Sequence, residues 1–363
     1  MSGRVSERPS PITSKRKRSS SLDGDAGPGQ ALPDDLVVRV CRLAGLGGLA
    51  RFVCPLAARE RAPPAIPVSC VTTPGLVEWA LAKGCPKDHR LSQVLAAGGH
   101  LDALVRARAL GCDWNPLTCA RAALNGKLDV LKWCRENGCP WDTRAAFSAA
   151  AKGRKEVLAW MLDNGWTGPG ALEGAAFGGQ VGLMSWLVDR GADMTPKACE
   201  FAAGGGRLDA LKWLRDKGCP WDERLLFAAS VKGNIRVLEW VSETVWWGRN
   251  GNLVAFSAAS AGRADVLEWV YSRDMIWRAG LVGGLEGAAL TGKAREIRWL
   301  LGKGCRMTSK TAMMAAMGGQ VETLQWLRDN GCPMDLAKIF KIASSRDHAG
   351  VKAWAENLMM LHQ

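Results

Sequence analysis

The sequence has few of the residues on which enzymes most often rely for acid–base and metal chemistry. It contains a single tyrosine and four histidines, His89, His100, His348 and His362. None of the four histidines lies in a motif of a zinc hydrolase, a serine hydrolase or a nucleotide-binding enzyme. The glycine runs at Gly204 and Gly283 are not followed by Lys-Ser or Lys-Thr, as a phosphate loop would be. We therefore expect a protein that is not an enzyme and uses no cofactor or metal.

Long apolar runs are also missing. No stretch of 18 apolar residues occurs, so no membrane span is expected. The first ten residues, MSGRVSERPS, are polar and do not resemble a secretory signal. The twelve cysteines should then stay reduced, which predicts a cytoplasmic or nuclear protein. The net charge of +13 permits contact with nucleic acid, anionic lipid or an acidic protein, but its thin spread favours a merely solvated surface.

The abundant residues, by contrast, form an internal repeat. A tryptophan recurs at intervals of 26 to 30 residues, and a glycine lies seven residues before each copy. The tryptophans are Trp133, Trp160, Trp186, Trp213, Trp240, Trp269, Trp299 and Trp326. Trp79 and Trp354 extend the register in both directions. A fixed period of this kind is typical of a repeat protein, with about eleven units over residues 65–363.

Each unit has the pattern of two short helices. The first is rich in alanine and ends at a glycine, as in Ala122 to Gly126. The second, such as Leu128 to Trp133, places apolar residues three and four positions apart on one face. One such unit cannot bury its own apolar face, so the units must stack. The sequence predicts an all-α fold, an α-solenoid of helix-turn-helix units.

The unit resembles an ankyrin repeat. The clearest copy is FAAGGGRLDALKWLRDKG, Phe201 to Gly218, and RGADMTPKACEFAA, Arg190 to Ala203, is similar to the ankyrin joint. Ankyrin repeats have about 33 residues, so these shorter units imply β-hairpin fingers that are trimmed or absent. The resemblance implies a protein-binding scaffold that holds its partner on a concave face of first helices.

Six cysteines follow the glycine that ends the second helix: Cys85, Cys112, Cys139, Cys219, Cys305 and Cys332. The chain has no C-x-x-C pair, and equivalent positions of stacked helices lie about 8–10 Å apart, too far for a shared zinc ion or a disulfide. A structural interpretation is favoured, in which cysteine packs beneath the joint and tryptophan covers it. The recurrent tryptophans of the second helices are likewise expected to pack in the core rather than to stack on bases.

Candidate partner-binding residues lie at exposed first-helix and joint positions, and at two irregular joints after Val241 and Val270. They are Arg121, Arg144, Glu200, Arg224, Trp246, Trp247 and Trp277. Tryptophan and arginine are enriched at the hot spots of protein interfaces. The alternative for the irregular joints is local packing of longer loops.

The first 30 residues are rich in Ser, Gly, Pro and charge, and we expect them to be disordered. Within them, Lys15, Arg16, Lys17 and Arg18 form a candidate nuclear-import signal.

Residues 31–64 resemble a short F-box, with Leu32, Pro33, Leu36, Val40, Leu49 and Val53 at the positions that would contact an adaptor. The resemblance implies docking on the Skp adaptor of a cullin ubiquitin ligase; the alternative is a helical cap on the first repeat. F-box segments followed by ankyrin-like arrays resemble proteins of giant viruses of amoebae, which would place the chain in a host cell.

The sequence thus predicts a monomeric, non-catalytic scaffold for protein–protein interaction that recruits substrates to a ubiquitin ligase. The alternatives are a plain binding scaffold without a ubiquitin link and a basic repeat protein associated with nucleic acid, whose affinity would fall steeply with salt.

Overall fold

The computed structural model describes residues 71–166, 169–244, 250–273 and 280–361, which form 21 helices and no strand. None of these helices has both the length and the apolar character needed to cross a bilayer. The helices are α1 (Pro74–Ala82), α2 (His89–Gly98), α3 (Leu101–Ala109), α4 (Pro116–Leu124), α5 (Leu128–Glu136), α6 (Thr143–Ala151), α7 (Lys155–Asp163), α8 (Ala171–Gly178), α9 (Val181–Asp189), α10 (Pro196–Gly204), α11 (Leu208–Asp216), α12 (Arg224–Lys232), α13 (Ile235–Thr244), α14 (Gly251–Ser260), α15 (Ala264–Ser272), α16 (Leu281–Thr291), α17 (Ala294–Gly302), α18 (Ser309–Met317), α19 (Val321–Asp329), α20 (Leu336–Ser345) and α21 (Ala349–Leu361).

The helices alternate between two roles. From α2 onward, each even-numbered helix is the first helix of a unit and the odd-numbered helix after it is the second. Each first helix packs on its own second helix and on the first helices of neighbouring units. The predicted α-solenoid is confirmed, with ten complete pairs and one second helix, α1, among the described residues. The F-box-like segment and the basic tail lie outside those residues.

Helix boundaries follow the local sequence. Several first helices begin at an acid or an amide whose side chain accepts the N–H two residues on, as Asp142 does from Arg144 at 3.0 Å. Second helices end at a glycine with positive φ, such as Gly138 at 81°. The N–H of Cys139 then donates to the carbonyl of Cys134 at 2.8 Å, which closes a Schellman motif. The motif turns the chain sharply toward the next first helix.

Small residues set how closely the units stack. The paired alanines of the first helices are fully buried, as at Ala149–Ala150 and Ala202–Ala203. A Cβ atom at Gly174 of α8 would collide with the carbonyl oxygen of Phe147 in α6. First helices therefore approach one another more closely than second helices do.

A row of polar side chains locks successive units together. The side chain of the residue before a second helix extends to the first helix of the preceding unit. There it covers the glycine at the end of that helix, as Asn234 covers Gly206. Asn234 donates to the carbonyls of Ala203 and Gly204 at 2.7 and 3.0 Å, and Arg207 donates to the carbonyl of Phe177 at 3.3 Å. These bonds satisfy carbonyls that a helix end leaves without a partner.

The expectation that the recurrent tryptophans pack in the core is wrong for most copies. Trp269 and Trp354 are buried, but Trp133, Trp160 and Trp240 are only half-buried. The buried face of α5 consists of Val130, Leu131 and Cys134, and Trp133 falls at its edge. There its indole contacts Trp114 from the joint before α4, with the two ring centroids 5.7 Å apart.

Candidate binding surface on the first helices

The most distinctive surface of the described chain is a strip of phenylalanines on the first helices, hereafter the phenylalanine strip. Five of the seven phenylalanines in the sequence lie on five consecutive first helices, α6 to α14. They are Phe147, Phe177, Phe201, Phe227 and Phe256. All five keep some solvent exposure, which reaches 37% for Phe177 and 46% for Phe227. An exposed row of large apolar side chains is typical of an interaction site.

The rings at the amino-terminal end of the strip form one cluster. The ring centroid of Phe147 lies 5.8 Å from that of Phe177 and 5.1 Å from that of Phe201. Three neighbouring units therefore share a continuous aromatic contact. The rings pack against each other at steep angles, so they form an apolar surface rather than separate platforms for stacking bases.

The apolar surface continues beyond the phenylalanines on α18. Met313, Met314 and Met317 are half-buried, and they occupy the first-helix positions equivalent to those of the phenylalanines. Leu290 of α16, also half-buried, lies between the two groups in the order of the stack. Methionine adapts its shape easily and is common on surfaces that bind apolar segments of other proteins.

Charge is divided between the two sets of helices. The ten first helices carry nine Lys and Arg residues against three Glu, a net charge of +6. The ten second helices that follow them carry twelve Lys and Arg against sixteen Asp and Glu, a net charge of −4. The five helices of the phenylalanine strip carry four of these cations against two acids, a net charge of +2, so the positive charge is spread along the whole set of first helices.

Four of the predicted partner-binding residues lie on the first helices, but two of them already have an internal partner. Arg144 pairs with the helix-capping carboxylate of Asp142 at 2.6 Å, and Arg224 lies 3.8 Å from Asp222. The hydrogen bond from Arg144 lowers the pKa of Asp142. Arg121 is exposed on α4.

Glu200 is half-buried on α10 and precedes Phe201 of the strip in the sequence. Trp246, Trp247 and Trp277 lie outside the described residues, so the prediction for them stays open.

An ion pair crosses between units at the far end of this face. Lys310 of α18 lies 2.8 Å from Glu286 of α16, whose side chain is largely buried. Glu173, Glu200 and Glu286 are the only acids on the first helices of the described chain. This pair uses one cation and one acid, so the excess of six cations on the first helices is unchanged.

The cysteines of the two repeated Cys-Pro-Trp joints, Cys139 and Cys219, are buried beneath their turns. Cys139 is buried, and its thiol lies 3.7 Å from the carbonyl of Asn115, the residue that caps α4. Cys219 makes the equivalent contact with Thr195 at 3.4 Å. The tryptophan of the same joint, Trp141, lies beside the last turn of α5. The guanidinium of Arg135 lies 4.3 Å from the centroid of its ring, a cation–π contact.

The joint after α5 differs from the others because three thiols meet there. The Sγ atoms of Cys119, Cys134 and Cys139 all lie within 4.8 Å of one another, and the three residues are fully buried. Only Cys139 of this group is a joint cysteine; Cys119 and Cys134 lie on α4 and α5, outside the repeated joint pattern of the sequence. The signal in the sequence was Cys134, which stands where the equivalent position of α11 has Leu214.

Hydrogen bonds within this group shift the pKa values of the three thiols in different directions. Bonds with Cys119 and Cys134 lower the pKa of Cys139 to about 4, against the opposing effect of burial. The bond with Cys119 lowers the pKa of Cys134, but the bond with Cys139 and burial outweigh it and raise the value to about 12. The pKa of Cys119 is raised by its bonds to the other two thiols and by burial.

Comparison with known proteins finds no matching family model and no similar curated protein. Among solved structures, the pentatricopeptide repeat protein PPR10 in complex with an 18-nucleotide psaJ RNA element is similar at 12% identity and a TM-score of 0.31, over 78% of this chain and 56% of that one. PPR10 from maize is similar at 14% identity and a TM-score of 0.29, over 78% and 50% of the two chains. The chain thus spans about half the length of these proteins. The ankyrin and F-box resemblances remain predictions from the sequence.

Proposed function

We propose that this protein is a non-catalytic scaffold that binds an acidic, partly apolar segment of another protein along its first-helix face. The observation that carries the proposal is the phenylalanine strip, a row of partly exposed rings on five consecutive first helices that also carry four cations against two acids. Aromatic and apolar side chains bury area in an interface, and cations around them select an acidic partner and speed its association. A single extended or helical segment matches a row of contacts that repeats from unit to unit.

A second candidate, single-stranded nucleic acid, is favoured by one of the same observations. Nine cations on the first helices would attract phosphates, and exposed aromatic rings can stack on bases. One feature favours protein instead. The rings of Phe147, Phe177 and Phe201 pack on each other and so leave fewer free faces on which bases could stack.

Binding experiments with the purified chain distinguish the two candidate ligands, an acidic peptide and a single-stranded nucleic acid. We expect a random peptide library displayed on phage to yield sequences that combine Phe, Leu or Trp with Asp or Glu. Binding of fluorescent single-stranded RNA and DNA oligonucleotides should be measured in parallel at 50 and 200 mM salt. Tight oligonucleotide binding that falls steeply with salt, with no enriched peptide, would show that nucleic acid is the ligand.

The link to a ubiquitin ligase rests on residues 31–64 alone. We propose that Leu32, Pro33 and Leu36 begin an adaptor-binding helix, on the strength of the F-box resemblance. Purification of the full chain from cells, beside a chain lacking residues 31–64, tests the idea. Recovery of Skp and cullin with the full chain only would support it. Recovery with both chains or with neither would favour a cap on the first repeat.

A further inference from the structure

The three-thiol group at the joint after α5 has the composition and the geometry of a metal site. Two of its sulfurs come from the Schellman motif, which brings positions five apart in sequence into contact: Cys134 in the last turn of α5 and Cys139 beyond it. The third, Cys119, projects from the neighbouring helix α4. All three residues have no solvent exposure. The backbone of a rigid joint therefore fixes the three Cα atoms.

We propose that Cys119, Cys134 and Cys139 bind a single Cu(I) ion. An ion equidistant from three sulfurs at about 2.3 Å, a metal–thiolate length typical of zinc sites, would place the sulfurs about 4.0 Å apart. The sulfurs already lie within 4.8 Å of one another, so inward movements of less than about 1 Å complete the site. Such movements require no change of fold.

The ligand set favours Cu(I) over the more usual zinc. Structural zinc sites are almost always four-coordinate, and the described residues offer a group of three. Complete burial leaves no ready access for water as a fourth ligand. Thiolates are soft ligands of the kind that favour Cu(I). Cu(I) binds the three cysteines as thiolates, so the protons of the thiols are released to solvent, and no oxidation state changes.

Nearby cations offset the charge of the thiolates. The guanidinium of Arg135 donates to the carbonyl of Cys139 at 2.7 Å, and its charge favours the thiolate of that residue. Arg108 from the preceding unit acts on Cys134 in the same sense. A three-thiolate complex of Cu(I) carries two negative charges, which these two cations balance.

The chain contains its own matched control three units further on. Cys199 and Cys219 occupy the positions of Cys119 and Cys139, but Leu214 stands in place of Cys134. The variant Cys134→Leu therefore converts the three-thiol joint into a copy of a joint that already folds in this protein. The variant Leu214→Cys should build a second three-thiol joint where none exists.

The test is a competition with bicinchoninate, a chelator that forms a coloured complex with Cu(I). The loss of colour gives the number of Cu(I) ions that the full chain removes from the chelator under reducing, oxygen-free conditions. We expect Cys134→Leu to bind one fewer tightly held ion than the natural chain and Leu214→Cys to bind one more. The other thiols are common to all three proteins and cancel in the differences. Circular dichroism confirms that each variant is folded.

Equal counts for the three proteins would overturn the proposal. A zinc titration provides a second decision. Zinc held more tightly than Cu(I) by the natural chain, and lost in Cys134→Leu, would overturn the assignment of the ion. The Leu214→Cys variant keeps the test decisive if Cys134→Leu is unstable.

Discussion

Asp142 shows how a single residue places a first helix. Its carboxylate accepts the N–H of Arg144 and pairs with the same residue's side chain. We predict that Asp142→Ala lowers the stability of the chain by about 1 kcal/mol, the usual cost of losing such a cap. Asp142→Asn keeps the cap and should cost under about 0.5 kcal/mol, because exposed ion pairs contribute little. Urea unfolding at pH 7 measures both. A larger loss for Asn than for Ala would contradict this account.

The pH dependence of the same pair follows from the lowered pKa of Asp142. Because its pKa is lower in the folded chain, the group stabilises the fold above its unfolded pKa, about 3.9, and this contribution disappears as the pH falls through the folded pKa. The difference in urea midpoint between the natural chain and Asp142→Asn should therefore shrink between pH 5 and pH 2. An unchanged difference would contradict the assigned role.

At the scale of elements, the close approach of first helices depends on glycines without space for a side chain. Gly174 faces the backbone of Phe147, whereas Gly182 of α9 has nothing within 4 Å of where a Cβ would stand. We predict that Gly174→Ala destabilises the chain by about 1–3 kcal/mol, since α6 and α8 must separate. Gly182→Ala should be neutral or stabilising by up to about 1 kcal/mol. Thermal unfolding compares the two, and a similar loss in both would refute the packing argument.

The row of polar side chains between units allows a second comparison. Asn234 donates to two carbonyls of the preceding unit, whereas the exposed Asn330 donates to Trp326 of its own helix at 2.8 Å. We predict that Asn234→Ala costs about 1–3 kcal/mol and Asn330→Ala less than about 0.5 kcal/mol, because only the former leaves a part-buried carbonyl, that of Gly204, without its donor. Amide hydrogen exchange at the end of α10 should rise in Asn234→Ala alone. Equal exchange in both variants would show that the contact does not join the units.

Most of the fold could be predicted from the sequence, because the helix pairs depend on local signals. The glycine before Lys127 and the one before Cys139 each end a helix whatever the rest of the chain does. The phenylalanine strip could not be found in the same way. Phe147 and Phe201 lie at different positions of their helices, so they meet only after one helix is placed beside another. The three-thiol group could not be predicted for a similar reason, because Cys119 and Cys134 come from separate helices.

At the scale of the whole molecule, the choice of ligand depends more on how charge is divided between first and second helices than on the total charge of +13. The first helices are both basic and apolar on their exposed side, while the second helices carry a net negative charge. One side of the stack is therefore suited to an acidic ligand and the other is not. The candidate residues Arg144 and Arg224 contribute to this field even though capping carboxylates hold them.

The central claim is tested most directly by the affinity of a selected acidic, aromatic peptide for three forms of the full chain. We predict that Phe177→Ala combined with Phe227→Ala weakens binding at least about tenfold, because each exposed ring should contribute about 1 kcal/mol or more. The control is Val105→Ala on α3, which removes a side chain of comparable exposure, 40%, from a second helix. It should leave the affinity within about twofold. Equal affinity in all three forms would contradict the claim that the phenylalanine strip is the binding surface.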